Sequence, residues 1–114
     1  MFAAWSDEAF ELYLTECLGN AADGGVELKC DPAIEAHVFY TTGNLGVMDY
    51  APKVHAPVLY ARASTGNVPA AFCQGVSRIF PQCEYTEIEG GHLLPLEVPE
   101  AVAARLCVFA DAST

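Results

Sequence analysis

The apolar positions near the start of the chain recur with a helical period. Phe10, Tyr13, Leu14, Cys17 and Leu18 fall at i, i+3, i+4, i+7 and i+8, which is one stripe of an amphipathic helix. Ser6, followed by Asp7 and Glu8, supplies a capping hydroxyl and first-turn acids that suit the helix dipole. Gly19-Asn20 ends this helix, A-A-D-G-G is a turn, and Val26 to Cys30 alternates as a short strand. Asp31-Pro32 then opens a second helix over Ala33 to Tyr40, because the acid caps and proline fits the first helical position. T-T-G-N-L-G breaks it, and the stretch from there to Lys53 is ambiguous.

The second half is more regular. Pro57 to Ala61 is a continuous apolar run, as expected of a parallel strand buried on both faces. S-T-G-N is a loop. Pro69 opens a helix with Phe72, Val76, Ile79 and Phe80 as its apolar positions, and Pro81 ends it. Cys83 to Glu89 is a second, less apolar strand, nearer an edge. After Gly90-Gly91-His92 and a Pro-containing loop, Pro99-Glu100 starts a last helix with Val102, Leu106 and Phe109 on one face. Strand, helix, strand, helix is a parallel βαβα unit closing right-handed. The expected organisation is residues 1–55 as helices with a return segment, then 56–114 as the βαβα part.

Composition narrows the function classes. The chain has 114 residues, enough for one domain, and 53% are hydrophobic. No apolar run approaches the ~20 residues of a membrane span, and M-F-A-A-W-S-D-E lacks the basic and apolar regions of a secretory signal. Fifteen acidic residues against five basic ones give a formal charge of -10, so nucleic acid is excluded as a partner by repulsion from phosphate. The five cysteines, Cys17, Cys30, Cys73, Cys83 and Cys107, are odd in number and show no C-x-x-C spacing. A reduced, cytoplasmic chain without zinc sites or a disulfide framework is expected.

Functional groups of open α/β sheets gather at the carboxyl ends of the strands. Two loops fall there, residues 62–68 and 89–95, and His92 is on the second. The two glycines before it relieve Cβ clashes in a turn and let the next side chain project from the strand end. His37, inside a helix, and His55, ahead of a strand, have no metal-ligand spacing and no cysteine nearby. Neither a G-x-G-x-x-G nor a Walker A pattern occurs, so no cofactor is expected.

Four features in order resemble the C-terminal part of the α/β-hydrolase fold superfamily. They are G-G-V-E-L-K-C-D-P-A-I-E-A (24–36), A-P-V-L-Y-A-R (56–62), F-P-Q-C-E-Y-T-E-I (80–88) and G-G-H-L-L-P-L-E-V-P-E-A-V-A (90–103). The resemblance implies a partial α/β-hydrolase fold: the end of a helical lid, the last two strands, the catalytic-histidine loop and the final helix. It implies that His92 is the catalytic base of a serine-type hydrolase acting on an ester-like small molecule. Two departures from the family pattern accompany it. No G-x-S-x-G elbow occurs; Ser77 is mid-helix in Q-G-V-S-R-I, and Ser6 and Ser64 have no elbow either. The acid expected after the penultimate strand has no counterpart in A-S-T-G-N (63–67), where Asn67 is a weak substitute. Nucleophile and acid are therefore expected on an N-terminal half outside these residues. The expectation is a C-terminal hydrolase segment inactive alone, or else a non-catalytic module that self-associates through its exposed sheet edge.

Overall fold

The structure, a computed structural model, describes residues 2–42 and 46–113. Two compact units form, Met1–Gly46 and Val47–Thr114.

In the first unit, helix α1 (Asp7–Cys17) begins where the sequence places it. Ser6 is its cap, and its Oγ accepts the Ala9 N–H at 3.1 Å, removing one of the unpaired donors of a helix start. Phe2, Trp5, Phe10 and Tyr13 form an aromatic cluster, with Trp5 and Tyr13 edge to face at 5.3 Å. Leu18 leaves the helix. It starts strand β1 (Leu18–Asn20), which pairs antiparallel with β2 (Val26–Leu28). A hairpin therefore stands where the pattern indicated a single strand. Three residues are too few to display an alternation, and the turn residues between were the legible signal. Helix α2 (Pro32–Thr42) starts as expected, the Asp31 carboxylate accepting the Ala33 N–H at 2.8 Å. It runs two residues past the expected Tyr40, because the Thr41 and Thr42 hydroxyls donate back to carbonyls of the preceding turn and leave the helix intact. The rest of the expected break, residues 43–45, lies outside the described residues.

The second unit holds the site. The ambiguous stretch is a short helix, α3 (Val47–Tyr50), and a 3-10 turn (Ala51–Lys53). Strand β3 (Val58–Ala63), helix α4 (Ala70–Ser77), strand β4 (Cys83–Ile88), a one-turn helix α5 (Leu94–Glu97) and helix α6 (Pro99–Ala112) follow. β3 and β4 pair in parallel, from Val58 opposite Cys83 to Ala63 opposite Ile88. This is the parallel βαβα unit read from the sequence.

Burial differs from the pattern. Val58, Leu59 and Tyr60 are half-buried and Ala61 is exposed, although the run reads as a strand covered on both faces. The reason is the sheet itself: among the described residues β3 and β4 form a two-stranded sheet, so one edge of each has no neighbour. In α4 the buried residues are Cys73 and Ser77, whereas Phe72 is 58% exposed. Leu106 of α6 is 52% exposed. The core under the site is small: Ala63, Ile88 and Leu94 are buried together, with Val98 and Val102 packed against them. No described helix is long and apolar enough to cross a membrane.

Candidate functional site

The carboxyl ends of β3 and β4 are sewn to each other beyond the last strand pair. Ser64 N–H donates to Ile88 O at 2.9 Å, and Gly90 N–H donates to Ser64 Oγ at 3.3 Å. Thr65 donates twice to Gly90 O, from its N–H at 3.1 Å and from its hydroxyl at 2.8 Å. The S-T-G-N loop is in addition closed on itself, Gly66 N–H donating to Ala63 O at 3.2 Å and Arg62 Nε to Val68 O at 3.1 Å. Serine and threonine occur at these positions because their hydroxyls can satisfy backbone groups that the ended ladder leaves unpaired.

The two glycines before His92 serve different ends. Gly90 has φ +156°, and a Cβ there would stand 2.8 Å from Leu94 Cδ2 and 3.2 Å from Val98 Cγ2. A side chain would push the small core off the strand end. Gly91 does not have a positive φ; the expectation that both glycines serve the turn is corrected. What needs glycine at 91 is a close approach, since a Cβ would come within 2.6 Å of Glu97 Oε1. The Glu97 carboxylate occupies that space. It accepts the Gly91 N–H at 2.6 Å and the Leu93 N–H at 3.3 Å.

His92 therefore sits on a backbone held from both sides. Its side chain is exposed, and among the described residues the imidazole has no hydrogen-bond partner. It borders a cavity of about 330 Å³ whose lining also includes Arg62, Ala63, Asn67, Ile88 and Leu94. Among the described residues no carboxylate, serine or threonine lines this cavity. The tyrosine that does, Tyr60, keeps its proton more firmly than usual, through burial first and then its contact with the Cys73 thiol.

The other candidate serines and histidines have local surroundings of their own. Ser77 is buried in α4 and donates to Gln74 O at 3.0 Å; Ser6 is the α1 cap, and Ser64 is engaged with Gly90. His37 is exposed on α2, and His55 contributes its carbonyl, which accepts from Gln82 Nε2. All five cysteines are free thiols. Among the described residues no cluster of His, Cys, Asp and Glu could hold a metal ion. The sequence pattern does not announce the hydrogen bonds that Glu97, Ser64 and Thr65 make here. The signal for Glu97 was its spacing from Leu93, which is that of a capping acid displaced by one residue.

No protein-family model and no curated protein matches the sequence. Solved structures do. A crystal structure of E-2-(acetamidomethylene)succinate hydrolase superposes with a TM-score of 0.84 at 20% identity, over 96% of this chain and 41% of that one. A thioesterase domain from the curacin biosynthetic pathway superposes with a TM-score of 0.74 at 16% identity, over 91% of this chain and 39% of that one. The chain spans about two fifths of the length of the structures it matches. Its fold is that of the C-terminal part of an α/β hydrolase.

Proposed function

We propose that this chain, with its partial α/β-hydrolase fold, supplies the base of a serine-type hydrolytic site whose nucleophile and acid lie on a core segment outside these residues. The observation that carries the reading is His92: an exposed, unclaimed imidazole on a doubly anchored loop at the carboxyl edge of the sheet, beside a cavity with no nucleophilic hydroxyl of Ser or Thr and no acid. In the reaction His92 takes the proton from the nucleophile's hydroxyl as its oxygen attacks the acyl carbon. It then returns that proton to the departing group, and the cycle repeats with water to free the acid product. The substrate class is an ester or related acyl compound; the similar structures are described as a hydrolase and a thioesterase domain. Alone the chain is inactive, because a base without a nucleophile within about 3 Å moves no proton.

The test is hydrolysis of p-nitrophenyl acetate by the chain alone, and by the chain joined to the remainder of the succinate hydrolase in place of the matched part. The chain alone shows no rate above buffer. The joined protein turns over, and His92→Gln lowers its kcat by about 10²- to 10⁴-fold. An unchanged rate in that variant would remove His92 from the mechanism.

A second reading is favoured by the open sheet edges and by exposed apolar side chains of the same unit such as Phe72 at 58% and Val108 at 63%. In it the chain is a non-catalytic module that pairs with a second copy of itself through those edges. Each 100 Å² of apolar surface so covered contributes about 2.5 kcal/mol. Sedimentation equilibrium separates the readings: a concentration-dependent dimer supports the second, and a monomer that stays monomeric excludes it.

A further inference from the structure

We infer that Glu97 is a positioning residue for His92, holding the imidazole's backbone at the height and angle at which it meets a nucleophile. The inference rests on the reading of His92 as a base. Its physical ground is the geometry of one carboxylate and two amides. The Leu93 N–H belongs to the peptide that follows His92 and the Gly91 N–H to the Gly90–Gly91 peptide one residue further back, and both point at Glu97, at 3.3 and 2.6 Å respectively, one to each oxygen. A segment of three residues whose first and last amides are tied to a common carboxylate has its backbone torsions restricted in range, the φ and ψ of the middle residue His92 among them. The side chain then has only its own two torsions left to set.

Charge strengthens the tie. Hydrogen bonds to a carboxylate are shorter and roughly twice as strong as those between neutral groups, and the carboxylate is half-buried, where competition from water is reduced. The seat is made for it. Glycine at 91 leaves the space that the carboxylate fills. The single turn of α5 carries Glu97 back over the loop, with Val98 N–H donating to Leu94 O at 2.9 Å and so closing the turn behind it. Leu94 is buried in the core cluster with Ala63 and Ile88, so the turn that presents Glu97 is itself anchored to the strand ends. The chain of contacts thus runs from core to α5, from α5 to Glu97, and from Glu97 to the amides of the two residues flanking His92. Serving two donors inside its own loop, the carboxylate is also withheld from the imidazole, which leaves His92 open to an acid from the missing core.

The experiment uses the ¹⁵N,¹³C-labelled 114-residue chain as wild type, Glu97→Ala and Glu97→Gln, followed by NMR. Amide hydrogen exchange is read at Gly91 and Leu93, with Tyr60 and Thr86 of the β3–β4 ladder as internal controls. The order of the His92 backbone and the line shape of its imidazole Cε1–H are read alongside. Glu97→Ala speeds exchange at both loop amides by about tenfold or more, the scale of a lost charged hydrogen bond, and lowers the order of His92 while the controls hold. Glu97→Gln keeps the shape and one acceptor oxygen, so it preserves protection at one amide and restores part of the order at His92. The inference is overturned if both amides exchange at the wild-type rate in both variants. It is equally overturned if His92 keeps its order and line shape while the amides loosen, or if the ladder amides loosen as much as the loop. Glutamine, being isosteric, decides the matter where alanine does not fold. None of these readouts depends on turnover: a joined enzyme indifferent to His92→Gln would sink the base reading and leave the amide result standing.

Discussion

Thr65 donates its hydroxyl proton to the carbonyl of Gly90 at 2.8 Å, across 25 residues of sequence. That bond joins the loop after β3 to the loop after β4 at the point where the ladder has run out. Thr65→Val keeps the shape and the backbone N–H bond and removes the hydroxyl. The expected loss is about 1 kcal/mol of unfolding free energy in urea titration, with faster exchange confined to residues near Gly90. A loss spread evenly over the β3 and β4 amides would contradict a local clamp.

Two glycines give opposite expectations for the same substitution. Gly91→Ala places a methyl group against the Glu97 carboxylate, so the carboxylate leaves its two amides or the loop shifts, at a cost of about 1–3 kcal/mol. Gly75→Ala, on the exposed side of α4 with nothing within 4 Å of the added Cβ, stabilises by about 0.5–1 kcal/mol through helix propensity. Thermal unfolding of the pair checks the sign of each. Equal shifts would mean that the space at position 91 is not occupied as described.

Ser6→Ala removes the oxygen that accepts the Ala9 N–H and costs about 1 kcal/mol. The loss is read from the helical circular dichroism signal and its denaturant midpoint. A variant with the wild-type midpoint would show that α1 does not depend on its cap.

The folded chain holds the Tyr60 proton above the ordinary value of 10.0, through burial first and the Cys73 thiol next. A raised value in the folded state means that folding favours the protonated form. This contribution is present in full below the ordinary value and is lost as pH rises through the folded one. Denaturant midpoints measured on either side of 10.0 should therefore fall on the alkaline side, and Tyr60→Phe should flatten that fall. A slope unchanged in Tyr60→Phe would assign the alkaline loss to other groups.

The parallel βαβα order was legible because its signals are local: an apolar run at 57–61, proline at 69 and 81, Pro99 ahead of a helical stripe. The position of His92 at a strand end followed from that order. The hairpin of Leu18–Asn20 and Val26–Leu28 was only half legible, since three-residue strands carry no readable period. Glu97 was hidden for a different reason. Its role is set by a single helical turn folding back on a glycine, and L-L-P-L-E gives no run long enough to announce that turn. Burial was over-read at Phe72 and Leu106, because an apolar stripe records the surface a fold covers and not which residues do the covering.

The anchors of the His92 loop all come from residues 63–98: Ala63, Ser64, Thr65, Leu94, Glu97 and Val98. The His92 loop is thus held by this one block of sequence. On the proposed reading, a core segment arriving at this surface meets a loop already held by its own hydrogen bonds. It does not have to order the loop as it binds, so the free energy of association is not spent on folding. On the proposed reading, the base of an active site is in this way carried and held by one short block of sequence.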